Sequence, residues 1–259
     1  HAMSEEERIH RGLKGVYFDR SAATYIDGAA GELRYYGYSI HDLAEYSTFE
    51  ETAYLLLYGN LPKADELADF QSSLKTAGWL PDSIFEIIDR IKEAHPMDVL
   101  RTALSALAAF DVDRVDQSRE GLLRKGIRLT SQVPMIVAAH HRMRRGERAI
   151  ETDPTLSHAA NFLYMVQGER PSEAAAKLMD LDFILHAEHG SNASSFTARV
   201  VTSTGADLHA AITAAIGALS GPAHGGAAEN VMKMALEIGD PSKAHEYVKV
   251  KRKNREAIM

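Results

Sequence analysis

The 259-residue sequence contains no cysteine. That absence excludes a disulfide framework, a thiolate zinc site, iron–sulfur ligation and a cysteine nucleophile. No apolar run approaches the ~20 residues that span a bilayer, and the N-terminus lacks the basic-then-apolar pattern of a signal peptide. Basic residues are in deficit: 29 Lys and Arg face 36 Asp and Glu, a formal net charge of −7. A surplus of negative charge argues against a nucleic-acid or anionic-membrane partner. Also missing are a Gly-rich phosphate loop ending in Lys-Ser/Thr, a dinucleotide fingerprint after a strand, and a Gly-x-Ser-x-Gly elbow. His1-Ala2-Met3 reads as a remnant ahead of a native start at Met3. These exclusions lead to the expectation of a soluble, cytoplasmic protein.

What is present is an ordinary globular mix, 45% hydrophobic and 25% charged. The length suits one large domain or one and a half. Strand character is confined to the start: Gly15–Phe18, Ala23–Asp27 and Glu32–Tyr36 are short, aromatic and β-branched. From about residue 40 the pattern is helical, so the predicted class is all-α with short N-terminal strands. Ser47 with Glu50 fits a capping box, and Gly59 then Pro62 closes that helix. Leu67, Phe70 and Leu74, then Ile84, Ile87, Ile88 and Ile91, recur at helical spacing. Pro96 opens a helix with Met97, Leu100, Leu104 and Leu107 on one face. Further helices are predicted over roughly 122–143 (with Pro134 inside), 156–166, 172–189, 192–204, 207–220, 225–238 and 241–256. Between Ser191 and Gly221, 20 of 31 residues are Ala, Gly, Ser or Thr. Such small side chains suit either a dense buried helix pair or a subunit interface.

Of the 12 histidines, His41, His95, His158, His209 and His245 are isolated and read as surface or capping residues. His140 and His141 beside Arg142, Arg144 and Arg145 read as a solvated basic helix end. Two clusters differ. In His186-Ala187-Glu188-His189-Gly190-Ser191-Asn192, the spacing puts His186 and His189 on one face of a last helical turn. In Gly221-Pro222-Ala223-His224-Gly225-Gly226, a turn leads into a helix and places His224 near its N-terminus. There the dipole favours a neutral imidazole, which can donate a hydrogen bond to a developing enolate oxygen. A competing use of His186, His189 and His224 is a metal site, though no carboxylate has the usual spacing. Lys249, Lys251, Arg252, Lys253 and Arg255 form a basic run that is either a solvated helix face or a contact for an anionic cofactor.

At these clusters the chain resembles the citrate synthase family, including its 2-methylcitrate synthase branch. The matching text is Leu185-His186-Ala187-Glu188-His189-Gly190-Ser191-Asn192-Ala193-Ser194 and Gly221-Pro222-Ala223-His224-Gly225-Gly226-Ala227. Gly12–Val16, Tyr36–Ile40, Phe49–Leu56 and His95–Thr102 match as well. The resemblance implies a large helical domain over residues 1–220, with 221–259 starting a small domain, in a homodimer packed through large-domain helices. It implies a Claisen-type condensation of acetyl-CoA or propionyl-CoA with oxaloacetate, with no resident cofactor and no metal. His189 and Asn192 would then bind oxaloacetate, and His224 would hold the thioester oxygen and be catalytic. Ile258 and Met259 would lie near CoA, and the basic run would approach its phosphates.

The family's text continues, after residues like Ile258-Met259, into a Gly-Phe-Gly-His-Arg-Val-Tyr segment with a second electrophilic His. A later Asp is the base that takes the acyl α-proton. Losing a general base typically lowers a rate ~10²–10⁴-fold, so the 259 residues alone are expected to be inactive. The alternative expectation is a non-catalytic dimerising module that keeps the helical interface.

Overall fold

The structure is a computed structural model describing residues 20–254 apart from Trp79 and Ala223. Gly15–Phe18, Arg255, Ile258 and Met259 therefore lie outside the described residues. A three-stranded antiparallel sheet opens the chain: β1 (Thr24–Asp27), β2 (Glu32–Tyr35) and β3 (Tyr38–Ser39). Its first turn closes because the Asp27 carboxylate accepts from Ala29 N and Ala30 N, at 2.9 and 3.0 Å. The register then sets Thr24 opposite Tyr35 and Ile26 opposite Leu33.

Everything after the sheet is helical: α1 (Ile40–Tyr46), α2 (Phe49–Tyr58), α3 (Ala64–Ala77), α4 (Asp82–Ile91), α5 (Pro96–Leu107), α6 (Arg119–Met143), α7 (His158–Gln167), α8 (Glu173–His186), α9 (Ala193–Ser203), α10 (Leu208–Leu219), α11 (Gly226–Ile238) and α12 (Ala244–Lys253). Among the described residues no helix is long and apolar enough to cross a membrane. The capping box sits one residue later than the sequence pattern suggests. Thr48 caps α2 and Glu51 reaches back to it, while Ser47 closes α1. The reason is tertiary: Glu50 is buried and its carboxylate accepts from His158 N at 2.9 Å.

The main core forms where α4, α5, α6 and α10 converge, around Ile84, Ile88, Leu104, Ile136 and Ile216. On α5 the fully buried seam is Val99, Ala103, Leu104 and Leu107, with Met97 and Leu100 only half-buried. Val99, Leu104 and Leu107 each contribute about 1.5–3 kcal/mol by leaving water. A second cluster, Tyr35, Ile40, Leu43, Leu55 and Ile184, ties the sheet to α1, α2 and α8. Of the small-residue pair, α10 is buried at Ala211 and Ile216, whereas α9 packs chiefly on α10 and has no buried residue. The dense buried pair expected from composition is thus half realised.

Three histidines read as surface residues are interior. His140 is buried and its Nε2 lies 2.9 Å from Lys92 O. His158 stacks on Phe49 with ring centroids 4.9 Å apart. His209 is 2% exposed and lies 3.6 Å from Asp111, whose other oxygen holds Arg128 at 2.5 Å. Nothing in the local spacing of these residues signals that α6, α7 and α10 turn those positions inward. His95 does cap: its Nδ1 accepts from Met97 N at 3.2 Å.

Candidate active site

The first histidine cluster does not form a last helical turn. α8 ends at His186, and residues 187–190 leave it as a loop, so His186 and His189 do not share a helix face. Tyr35 explains the early stop. Its buried hydroxyl donates to Ile184 O at 3.0 Å, capping a carbonyl that a further turn would have used, and accepts from Glu188 N at 3.3 Å. Burial pushes the Tyr35 phenol above its usual value, which keeps the proton on this bridging hydroxyl. His186 turns back on its own helix, with Nδ1 2.8 Å from Asp182 O, and is exposed. His189 is exposed on the loop, followed by Gly190 at φ +66°. A Cβ at that left-handed position would also meet Ile26 Cδ1 at 3.4 Å.

Asn192 ends the loop as the N-cap of α9. Its side-chain oxygen accepts from Ser194 N and Ser195 N, both at 3.0 Å, and Ser195 Oγ accepts from Asn192 N at 3.0 Å. This reciprocal cap stitches the loop to the first turn of α9. Its amide oxygen thus has a structural task.

The second cluster is brought to the same end of α9. Ser194 Oγ lies 2.7 Å from His224 Nε2, joining residues 30 apart in sequence. His224 is half-buried in the turn between α10 and α11, with its backbone N–H donating to Gly221 O at 3.0 Å. Gly225 N donates to Leu219 O at 2.9 Å. A Cβ on Gly225 would sit 2.2 Å from that same carbonyl, so only glycine allows this approach. α11 begins one residue later, so the imidazole stands at its positive end, as the motif suggests. Among the described residues no group of three His, Cys, Asp or Glu side chains could hold a metal. The metal-site alternative, which needs His186, His189 and His224 together, therefore lacks its ligand set among the described residues.

Residues 12–259 match the family profile described as citrate synthase, C-terminal domain. The chain belongs to the citrate synthase family. It is 45% identical over 237 residues to a citrate synthase of Haloferax volcanii, covering 90% of this chain and 62% of that protein. It is 42% identical over 258 residues to a 2-methylcitrate synthase of Mycobacterium tuberculosis, covering 99% of this chain and 65% of the relative. Among solved structures it superimposes, with TM-score 0.87 and 29% identity, on a citrate synthase from Thermoplasma acidophilum held in a ternary complex with carboxymethyl coenzyme A and oxaloacetate. That match covers 96% of this chain and 66% of that one. The chain therefore spans somewhat under two thirds of the length of these family members.

Within this member of the citrate synthase family, the sequence motifs name His189, Asn192 and His224 but miss what holds them. Ser194 stands inside the quoted motif, and helical capping explains its backbone without hinting at a bond to His224. Tyr35 and Thr24, on the sheet, have no signal at all in the sequence around the histidines. The basic run is split: Lys249, Arg252 and Lys253 are exposed on α12, in keeping with a solvated face.

Proposed function

We propose that this protein condenses an acyl-CoA, acetyl-CoA or propionyl-CoA, with oxaloacetate, releasing citrate or 2-methylcitrate and free CoA. The observation that carries the reading is the Ser194–His224 contact at the head of α11. A neutral imidazole has one N–H. If the Ser194 hydroxyl donates to Nε2, that N–H sits on Nδ1 and is the free donor. Aimed at a thioester oxygen, it stabilises the enolate formed when a general base takes the acyl α-proton. The enolate carbon then attacks the oxaloacetate carbonyl, and hydrolysis of the thioester releases CoA. In this scheme His189 and the loop before Asn192 receive oxaloacetate beside His224, and Asn192 shapes that pocket through its cap.

The domain reading follows the same division: residues up to about 220 form the large domain and 221–259 begin the small one. In support, among the described residues the three apolar clusters hold no residue beyond Ile216. Leu178, Leu185 and Val200 are exposed on α8 and α9, and they supply apolar surface for a homodimer through these helices. Acetyl-CoA and propionyl-CoA differ by one methylene, which a pocket distinguishes by about 1–3 kcal/mol. The proposal therefore names both.

The test is thiol release from each acyl-CoA with oxaloacetate. A polypeptide of the relatives' full length carrying these residues should release CoA, and residues 1–259 alone should release none. Silence of the longer protein with both acyl-CoAs overturns the reading. Light scattering that finds only monomer removes the dimer.

A further inference from the structure

His189 stands on a segment with no helical ladder to hold it; Gly190 O accepts from Asn192 N and Ser195 Oγ on the α9 side, and three further bonds pass through Glu188. One carboxylate oxygen, Oε1, accepts from Gly190 N at 2.5 Å, folding the side chain back across residue 189. The same oxygen accepts from Thr24 Oγ1 at 2.5 Å, reaching 164 residues along the chain to the first strand. The Glu188 backbone N–H completes the set on the Tyr35 hydroxyl. Thr24 and Tyr35 are directly paired across β1 and β2, so the two anchors belong to one rigid edge.

We propose that Glu188 is the positioning residue for His189, clamping its loop through Gly190 N to Thr24 and so making the N-terminal sheet a working part of the site. Bonds to an ionised carboxylate are about twice as strong as neutral ones, so charge as well as shape is required. Glu188 touches no reacting atom in this scheme: it acts by holding the imidazole where oxaloacetate arrives. The oxaloacetate role of His189 rests on the function proposed above, whereas the clamp itself is read from geometry and is testable without turnover.

Two measurements test it. In a polypeptide of the relatives' full length carrying these residues, Glu188→Ala should raise the oxaloacetate KM roughly 10–100-fold, the span of one to two charge-assisted bonds. Its kcat should change far less. Glu188→Gln should fall between, and Thr24→Val should add little on top of Glu188→Ala, because both remove one interaction. Asp182→Asn, whose carboxylate lies 3.3 Å from His186 Nδ1, is the control and should leave KM unchanged. In residues 1–259 labelled with [13C]histidine, the His189 resonance, assigned through His189→Asn, should move in Glu188→Gln and Thr24→Val but not in Asp182→Asn. Should Glu188→Ala fail to fold, Glu188→Gln and Thr24→Val carry both arms. An unmoved His189 resonance, or fully additive KM effects of Glu188 and Thr24 substitutions, overturns the clamp. A moved resonance, with a polypeptide of the relatives' full length that releases no CoA, upholds the clamp and fails only the proposed reaction.

Discussion

The body around α5 and α6 and the rim around the head of α9 are ordered by different forces. In the body, Ile84, Ile88, Leu104 and Ile136 are fully buried, and apolar contact fixes the backbone. At the rim, α9 buries nothing, His189 is exposed, and order comes from a cap, a carboxylate, a phenol and the Leu219–Gly225 approach. Burial stabilises without regard to direction, which suits a scaffold. Hydrogen bonds fix direction while leaving a surface open to substrate. Substitutions in the body should therefore unfold the protein, and substitutions at the rim should disable it while it stays folded.

Four results would break or sharpen that contrast. Leu104→Ala, at the centre of α5, should lower unfolding stability by about 2–5 kcal/mol, read by urea titration. A loss under 1 kcal/mol would mean the body is not held by this core. His224→Ala in a polypeptide of the relatives' full length should cut kcat about 10²–10³-fold, the cost of losing one preorganised donor, with Tm almost unchanged. A matching fall in Tm would erase the distinction. Ser194→Ala should be milder. Losing a bond of about 1 kcal/mol predicts a roughly 5-fold slower rate, and a rate equal to that of the parent would show that the serine does not set the His224 tautomer.

The smallest effect concerns one of the polar residues buried inside the body. Burial, opposed by Asp111 and Asp207 and reinforced by Arg128 and Lys125, lowers the proton affinity of His209 below its usual value. The unfolded chain therefore binds the proton more readily, and stability is lost as pH falls below about 6.5. His209→Gln, neutral at every pH, should flatten Tm between pH 6.5 and 5. The slope removed is at most that of one proton, about 1.4 kcal/mol per pH unit. An identical profile in the variant would show that His209 does not titrate with unfolding.

Much of the helical order was legible in advance because helix signals are local. Pro96, the Ile84–Ile91 repeat and Gly59 at φ +89° each act within a turn or two of their own position. The misplacements share one cause. The capping box moved from Ser47 and Glu50 to Thr48 and Glu51 because His158 draws on Glu50 from another helix. α8 stopped at His186 rather than His189 because Tyr35, 150 residues earlier, takes its terminal carbonyls.

The site divides the same way. Residue types and spacing mark the clusters at 186–192 and 221–226 and place His224 at a helix start, the resemblance to the family picks His189, Asn192 and His224 from them, and the missing cysteines exclude a cysteine nucleophile. Only the folded chain decides that His186 faces its own helix, that Ser194 meets His224, and that Glu188 ties the loop to Thr24. A helix is written by bonds three and four residues apart, so periodicity exposes it. A loop that leaves a helix has no such ladder, and its shape is set by whichever distant donors tertiary packing brings to it.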